Sequence, residues 1–423
     1  MPPARVAVIG GGVASCSLVY AMRKHLEARQ LSLTLFEMGR GLGGRAATRR
    51  TREVPKLRVD HGAPAFEVRS ARFADVCESL MVSQILTRCV GAYGTLRTTG
   101  EFVAEASGLA SGVVPVRYTC SDSRGMGALC DALVRGGSDP AMGAPALVDA
   151  VFNTMVGAVR RTPEGVWSLS SSTGEALGEF DWIVIGSTAI GHPRWSVTFG
   201  GEPPLVLAAR GLADQALDAS LAQLAQLASR PVTACLMAFE GPAAAAWARM
   251  PFMKLKVEGD ATLSHVSVQR LEPALTVVVL HSTHAFATES EAVYGATSAA
   301  ARLAGAKTDA LVEARLVASL ARLTNTFGMA ANFRSPLWGP HLHRWGAAFP
   351  TAPLLPRMHA FVPSARVGFC GDFVDTGDGR GGSVEGAALS GMQMADALVE
   401  ALRLDGSAAS GADRCDGGKC VVL

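Results

Sequence analysis

The sequence predicts an α/β protein: a discontinuous strand–helix unit that carries a β-meander, joined to a second unit of α+β type. Three observations predict it. A short apolar strand at residues 4–9 runs directly into Gly10-Gly11-Gly12-Val13-Ala14-Ser15. Residues 148–186 alternate in hydrophobicity, with turns at Thr162-Pro163-Glu164-Gly165 and around Gly174, and close on the buried strand Trp182-Ile183-Val184-Ile185-Gly186. A strand at 366–371 and a helix at 383–402 then follow a long middle stretch of different texture.

The first strand is short, apolar and β-branched, which reads as a buried parallel strand. Gly10 allows the tight turn, and Gly12 lets the backbone approach a diphosphate with no Cβ in the way. Residues 13–29 carry Ala14, Leu18, Met22 and Leu26 at helical spacing, and the free N–H groups at that helix start would face the phosphates. Ser15 stands where a third glycine is usual, small enough for close helix–sheet packing. A second strand, 31–36, ends in Glu37, whose carboxylate can accept from both hydroxyls of an adenosine ribose. Met38 and then Gly39-Arg40-Gly41-Leu42-Gly43-Gly44-Arg45 follow, a segment that a domain binding only NAD does not need. Gly43 and Gly44 let the loop lie flat against a second phosphate or a flavin, and Arg40 and Arg45 supply fixed positive charge. Arg49, Arg50 and Arg52 read as a solvated basic loop. Far along the chain, Gly371-Asp372 would put a carboxylate beside the ribityl chain or diphosphate. Val384-Glu385 opens a helix whose positive end would face the flavin N1–C2=O edge. Together the two ends describe FAD gripped from both sides. The predicted class is therefore a discontinuous FAD-binding Rossmann-type domain with a β-meander, plus an α+β substrate domain.

The remaining elements follow from periodicity. Phe73, Val76 and Leu80 give helical spacing over 72–86, and a further helix is expected at 126–134. Leu217, Leu221, Leu224 and Leu227 predict a helix packed on one face. Strands are expected at 232–240, 263–270 and 275–282, and helices at 289–304 and 308–327, giving a sheet with helices on one side. Lys254 and Lys256 alternate with apolar residues, as in a half-exposed strand, and read as surface groups. Residues 1–60, 116–195 and 355–404 are assigned to the FAD-binding domain, 61–115 and 196–354 to the substrate domain, and 405–423 to a flexible tail.

These glycine motifs resemble those of the flavin-containing amine oxidase superfamily, and within it the chain is most similar to the renalase-like FAD/NAD(P)-binding oxidoreductases. Asp60-His61-Gly62-Ala63-Pro64 is similar to the family's D-x-G-A-Q segment, with Pro64 replacing the glutamine. Gly125-Met126-Gly127-Ala128-Leu129 is similar to its G-M-x-A-L helix start, and a strand ending in His281-Ser282-Thr283 and the pair Arg344-Trp345 complete the order. The resemblance implies hydride transfer from isomeric dihydronicotinamide dinucleotides to FAD, with O2 as acceptor and H2O2 as product. It places His61, His281, Arg344 and Trp345 near the isoalloxazine, and FAD contacts at Gly62 and Ala63. Hydride transfer from a dihydropyridine needs no general base at the donor carbon, so the lack of a clear base is compatible with it. His281, ending an apolar strand, has a second reading as a satisfied core group. The alternatives are a flavin amine oxidase or desaturase, and an FAD-binding protein with little turnover. Ser383 stands where amine oxidases place an aromatic cage wall, which weakens the amine reading.

Composition bounds the rest. A chain of 423 residues, 49% hydrophobic, can bury a large core in two or more domains. A net charge of +2 with 18% charged residues offers no field for nucleic acid. Nine irregularly spaced cysteines, without Cys-x-x-Cys, read as reduced thiols of a cytoplasmic protein, with no metal site. No apolar run reaches the ~18–20 residues that span a bilayer, and a strand beginning by Arg5 leaves no room for a signal peptide. The terminal Cys420-Val421-Val422-Leu423 fits C-a-a-X, with leucine favouring geranylgeranyl. Cys415 is placed for a second acyl group, although no polybasic run accompanies it, and membrane association through a prenylated Cys420 stands as an alternative to a purely cytoplasmic protein.

Overall fold

Ala4–Ile9, Leu31–Phe36 and Trp182–Ile185 are nearly continuous apolar runs, which suit a parallel sheet covered on both faces. The computed structural model describes residues 3–89, 93–105, 116–120, 124–272, 274–294, 306–327 and 335–411. In it these runs lie at the centre of a six-stranded sheet. The order is Asp149–Val151, Leu31–Phe36, Ala4–Ile9, Trp182–Ile185, Val367–Phe369, Phe361–Val362, parallel except for the last pairing. Strand order reverses at Ala4–Ile9, and in such sheets the ligand crevice opens at the carboxyl end of that strand. Gly10, Gly11 and Gly12 lie there.

One face of the sheet is covered by the helices Val13–Ala21, Gly127–Leu133 and Val384–Gly411, through Leu18, Leu129 and Leu398. The other carries the three-stranded meander Val156–Arg161, Trp167–Ser171 and Ala176–Phe180, where the alternation placed it. Two further pieces join this unit instead of the second one. Leu205, Leu217, Leu221 and Leu224 share a core with Ala7, Ile9 and Ile183, so helices Pro204–Ala209 and Gln215–Ala225 pack on the first sheet. Phe66, Val68, Leu86 and Tyr118, from a small three-stranded sheet, pack into its helix-side core. An amphipathic stripe states that a face is buried; it does not state against which core.

The second sheet has seven strands in the order Trp338–Thr351, Ala228–Glu240, Leu275–Ser282, Leu263–Glu272, Lys254–Val257, Tyr93–Leu96, Phe102–Ala104. Cys235, Met237, Leu255, Val266, Val278 and Leu280 on one face pack under helices Gly241–Ala248 and Ala306–Thr326. The helices are on one side, as expected. The opposite face, with Ala234, Leu236, Val277 and Val279, packs on Leu57 and Val59 and roofs the first unit. It does not face solvent.

The final helix continues to Gly411, past its expected end. Cys415 and Cys420 lie outside the described residues. The seven cysteines among the described residues are free thiols, and no described helix is long and apolar enough to cross a membrane.

The seam between the first and last helices is tight. A Cβ added to Gly391 would lie 2.0 Å from the Ala14 carbonyl oxygen, inside any allowed contact. Gly391→Ala should therefore cost about 1–3 kcal/mol through overpacking, read as a lowered thermal midpoint. An unchanged midpoint would mean that the seam has slack.

Candidate functional site

The floor of the site is the glycine turn. Gly10 adopts φ +104°, which only glycine takes readily, and its N–H donates to the Phe36 carbonyl at 2.8 Å. Gly12 precedes the first helical residue, and no side chain caps that helix. A Cβ on Gly12 would meet nothing within 4 Å. An uncapped helix start with open space before it accommodates an anion such as a diphosphate. Gly43 N–H donates to the Gly11 carbonyl at 2.8 Å, which lays the Gly43-Gly44 loop beside the turn. Glu37 closes the other side, accepting from Gly11 N–H at 2.7 Å and Gly39 N–H at 2.6 Å. Each carboxylate oxygen keeps acceptor capacity for a ribose hydroxyl. Met38 is 64% exposed and Arg40 is exposed, so both stand at the rim. Ser15 is fully buried, and its fit is secured from the strand side: a Cβ on Gly186 would lie 2.2 Å from Ser15 Oγ. The glycine missing from the turn is thus supplied at the end of the neighbouring strand. Ala14 serves the helix seam described above.

Arg45 joins the floor to the rest. Its guanidinium donates to Asp372 Oδ1 at 2.5 Å and Oδ2 at 2.7 Å, and to the Ala348 carbonyl at 2.5 Å. Burial alone would lower its pKa, but the Asp372 carboxylate more than offsets this and the pKa is raised, so Arg45 stays charged. The Arg45 carbonyl accepts from Ala63 N–H at 3.1 Å, and a Cβ on Gly62 would stand 2.1 Å from that oxygen. Gly371 N–H donates to Ser390 Oγ at 2.8 Å. Arg45 and Asp372, both expected to serve a cofactor directly, first hold each other.

Glu385 is fully buried, one residue after Val384 opens the last helix. Its Oε1 accepts from Arg69 N–H at 2.8 Å and Ser70 N–H at 2.7 Å, and Arg380 Nη2 lies 3.1 Å from Oε2. It clamps the loop before helix Ala71–Val82. Ser383, where an aromatic wall was absent, accepts from Gly386 N–H at 2.9 Å and caps the last helix. No aromatic side chain could do this.

The roof is the inner face of the second sheet. His61 stacks on Trp345 at 5.2 Å and meets His343 edge-on at 4.6 Å, and His343 meets Trp345 at 4.2 Å. His281 Nε2 donates to the His61 carbonyl at 2.9 Å, and Gln269 grips the Asp60 backbone N–H and C=O at 3.0 and 2.8 Å. His281 therefore positions His61. Burial, before any other cause, pushes His61 and His281 down to about 4 and His265 and His343 down to about 3. All four are neutral near pH 7. His61 Nδ1, His343 Nε2, Trp345 Nε1 and Ser267 Oγ are buried without a hydrogen-bond partner, and groups of this kind normally find one.

Two expectations change here. Arg344 pairs in register with Thr233, on the helix-covered face with Cys235, whereas His343 pairs with Ala234 on the roof. Adjacent strand residues point to opposite faces, so His343 and Trp345 share the site and Arg344 leaves it. Lys254, read as a surface group, is half-buried and pairs with Ser267 on the roof face. Burial lowers its pKa, with Glu67 opposing and Arg117 reinforcing the shift. Lys256 remains exposed, with 57% of its side chain accessible. Strand alternation separated two faces; it could not tell that the second was covered by another unit. The signal for His343 was available, since it stands two residues from Trp345.

Residues 8–80 match the family model described as an NAD(P)-binding Rossmann-like domain. No curated protein matches the chain in sequence. Among solved structures, a candidate protoporphyrinogen oxidase from Exiguobacterium sp. 255-15 aligns with TM-score 0.56 at 13% identity, over 94% of this chain and 99% of that one. A putrescine oxidase solved with putrescine aligns at 0.55 and 12% identity, over 94% and 99%. An oxidoreductase from Methanosarcina mazei aligns at 0.56 and 14%, over 93% and 100%. The chain shares the fold of these proteins along nearly its whole length.

Removing the Arg45 side chain strands the buried Asp372 carboxylate. Arg45→Ala should cost about 3 kcal/mol and Arg45→Lys less, measured by denaturant unfolding; equal stability of all three chains would remove the joint. The roof imidazoles have folded pKa values below the ordinary 6.5, so between about 4 and 6.5 the unfolded chain binds protons that the folded chain refuses. Their contribution is intact above that window and is lost as pH falls through it. His343→Phe should flatten the fall in thermal midpoint between pH 6.5 and 4.5, and an unaltered slope would contradict the neutral roof.

Proposed function

We propose that this protein is an FAD-dependent oxidoreductase that takes hydride from dihydronicotinamide dinucleotides, including isomeric forms. The observation that carries the reading is the uncapped glycine turn facing, across the Arg45–Asp372 joint, a roof of neutral imidazoles and indole with unpartnered polar atoms. The residues fit FAD: the open space before Gly12 and the helix start suit its diphosphate, and Glu37 its adenosine ribose. Bound FAD supplies hydride acceptance and the return of electrons to O2, giving H2O2.

The chain's own residues bind, orient and exclude water. Trp345 and His61 offer parallel ring faces against which a planar heteroaromatic can lie. Trp345 Nε1–H is a donor for a carbonyl oxygen, and His343 Nε2 is a free polar atom beside it. His281 and Gln269 hold the His61 segment in place. No proton has to leave the donor carbon, so imidazoles that stay neutral across the working range suffice. Lys254 and Arg49 lie near the roof, each with a carboxylate close by, Glu67 for Lys254 and Glu53 for Arg49.

A flavin amine oxidase is the second reading, and one observation favours it: Lys254 is half-buried on the roof face, and a lysine that fixes a water near flavin N5 is a feature of that family. Anaerobic stopped-flow of the FAD-loaded protein separates the two. Rapid bleaching near 450 nm by dihydronicotinamide dinucleotides is the expected result, whereas bleaching by amines alone would transfer the assignment to the second reading.

A further inference from the structure

The long strand Trp338–Thr351 presents more than Trp345 to the inner face. His341 pairs with Leu236 and Trp338 with Ala238, and a register shift at Gly339-Pro340 returns Trp338 to the same face as His343. The result is a line of rings, Trp345, His343, His341 and Trp338, along the edge strand of the sheet, from beside His61 at one end to beside Arg49 at the other. Trp338 meets His341 at 4.2 Å, and the Arg49 guanidinium lies over the Trp338 ring at 5.7 Å. Arg49 pairs in register with Val59, a roof-packed residue, which is why it turns inward from its basic hairpin.

Arg49 is held in an unfavourable setting. Burial lowers its pKa, the neighbouring Arg40 lowers it further, and Glu53 only partly opposes them. Glu53 is itself engaged, accepting from Trp338 Nε1–H at 2.6 Å and Thr51 Oγ1–H at 2.8 Å. The Arg49 guanidinium at the Trp338 end of the line, with a second guanidinium acting on it, is relieved by a doubly charged anion whose oxygens accept from the guanidinium fork. At the Trp345 end, His61 Nδ1, His343 Nε2 and Trp345 Nε1 offer polar atoms to a ring.

We propose that Arg49, with Arg40 beside it, is the diphosphate subsite for the substrate, at the Trp338 end of a ring-lined track along strand Trp338–Thr351. This rests on the dinucleotide reading above and adds to it how a dinucleotide is told from a simple dihydropyridine. A diphosphate also belongs to the cofactor, so the test separates the two sources.

ADP-ribose, which has the diphosphate but no nicotinamide, is titrated into FAD-loaded wild type, Arg49→Gln, Arg40→Gln and Arg49→Lys, read by indole fluorescence. The expected result is binding to wild type that weakens at least tenfold in Arg49→Gln, weakens less in Arg40→Gln, and recovers in part with Arg49→Lys. The ratio of KM for dihydronicotinamide riboside to KM for NADH should collapse by the same factor. Equal ADP-ribose affinity in wild type and Arg49→Gln overturns the subsite. So does release of FAD from Arg49→Gln, because the phosphates contacted are then the cofactor's. If no dihydropyridine bleaches the wild-type flavin, the functional reading fails, and the ADP-ribose titration still decides the subsite.

Discussion

The bidentate pair between Arg45 and Asp372 is the constraint on which the site depends. It joins residues 327 positions apart, and the same guanidinium reaches the Ala348 carbonyl on the roof strand. The Arg45 carbonyl, facing the other way, receives Ala63 N–H and leaves room only for glycine at position 62. One residue therefore fixes the height of the roof above the floor, the position of the His61 segment, and the seat of the C-terminal strand–helix pair. A buried pair of this kind adds little net stability over apolar packing, but a planar fork permits few alternative geometries. Its value here is in positioning.

Around that joint the electrostatics divide. The floor offers uncapped helix N–H groups and glycine backbone, a setting for negative charge. The roof offers rings whose burial keeps them uncharged. Cationic side chains adjoin it: Lys254, whose burial lowers its pKa, and the guanidinium groups of Arg49 and Arg40. A reacting ring held between floor and roof would see few mobile charges, while a phosphate at either boundary would find a partner. Such a setting is compatible with the proposed hydride transfer, which moves charge without requiring a nearby acid or base to change state.

Much of the fold was legible because it rests on local backbone demands. The turn at Gly10, the open approach at Gly12, the acid after the second strand and the alternation of the meander are each satisfied within a few residues, and each lies where the sequence placed it. Interactions between distant segments were less legible. Arg45 was recognisable as a fixed charge, but its partner across the chain was not. Glu385 was recognisable as a first-turn acid, but not as the clamp on Arg69 and Ser70. Lys254 looked solvated because strand alternation is blind to what covers the second face. Arg344 and Trp345 are adjacent in sequence, but neighbouring strand residues diverge, so it is His343 that shares a face with Trp345. Leu217, Leu221 and Leu224 announced a buried face without naming the sheet that buries it.

The contact between Gly391 and Ala14 has a temporal consequence. The helix that begins at the glycine turn is backed by one translated almost four hundred residues later, so the turn lacks that backing while the intervening chain emerges. At ~5–20 residues per second, that interval lasts from about twenty seconds to more than a minute. During it that helix must wait for a distant neighbour. Synthesis that halts before Gly391 should yield a chain already containing the glycine turn, yet without the backing that gives it its shape.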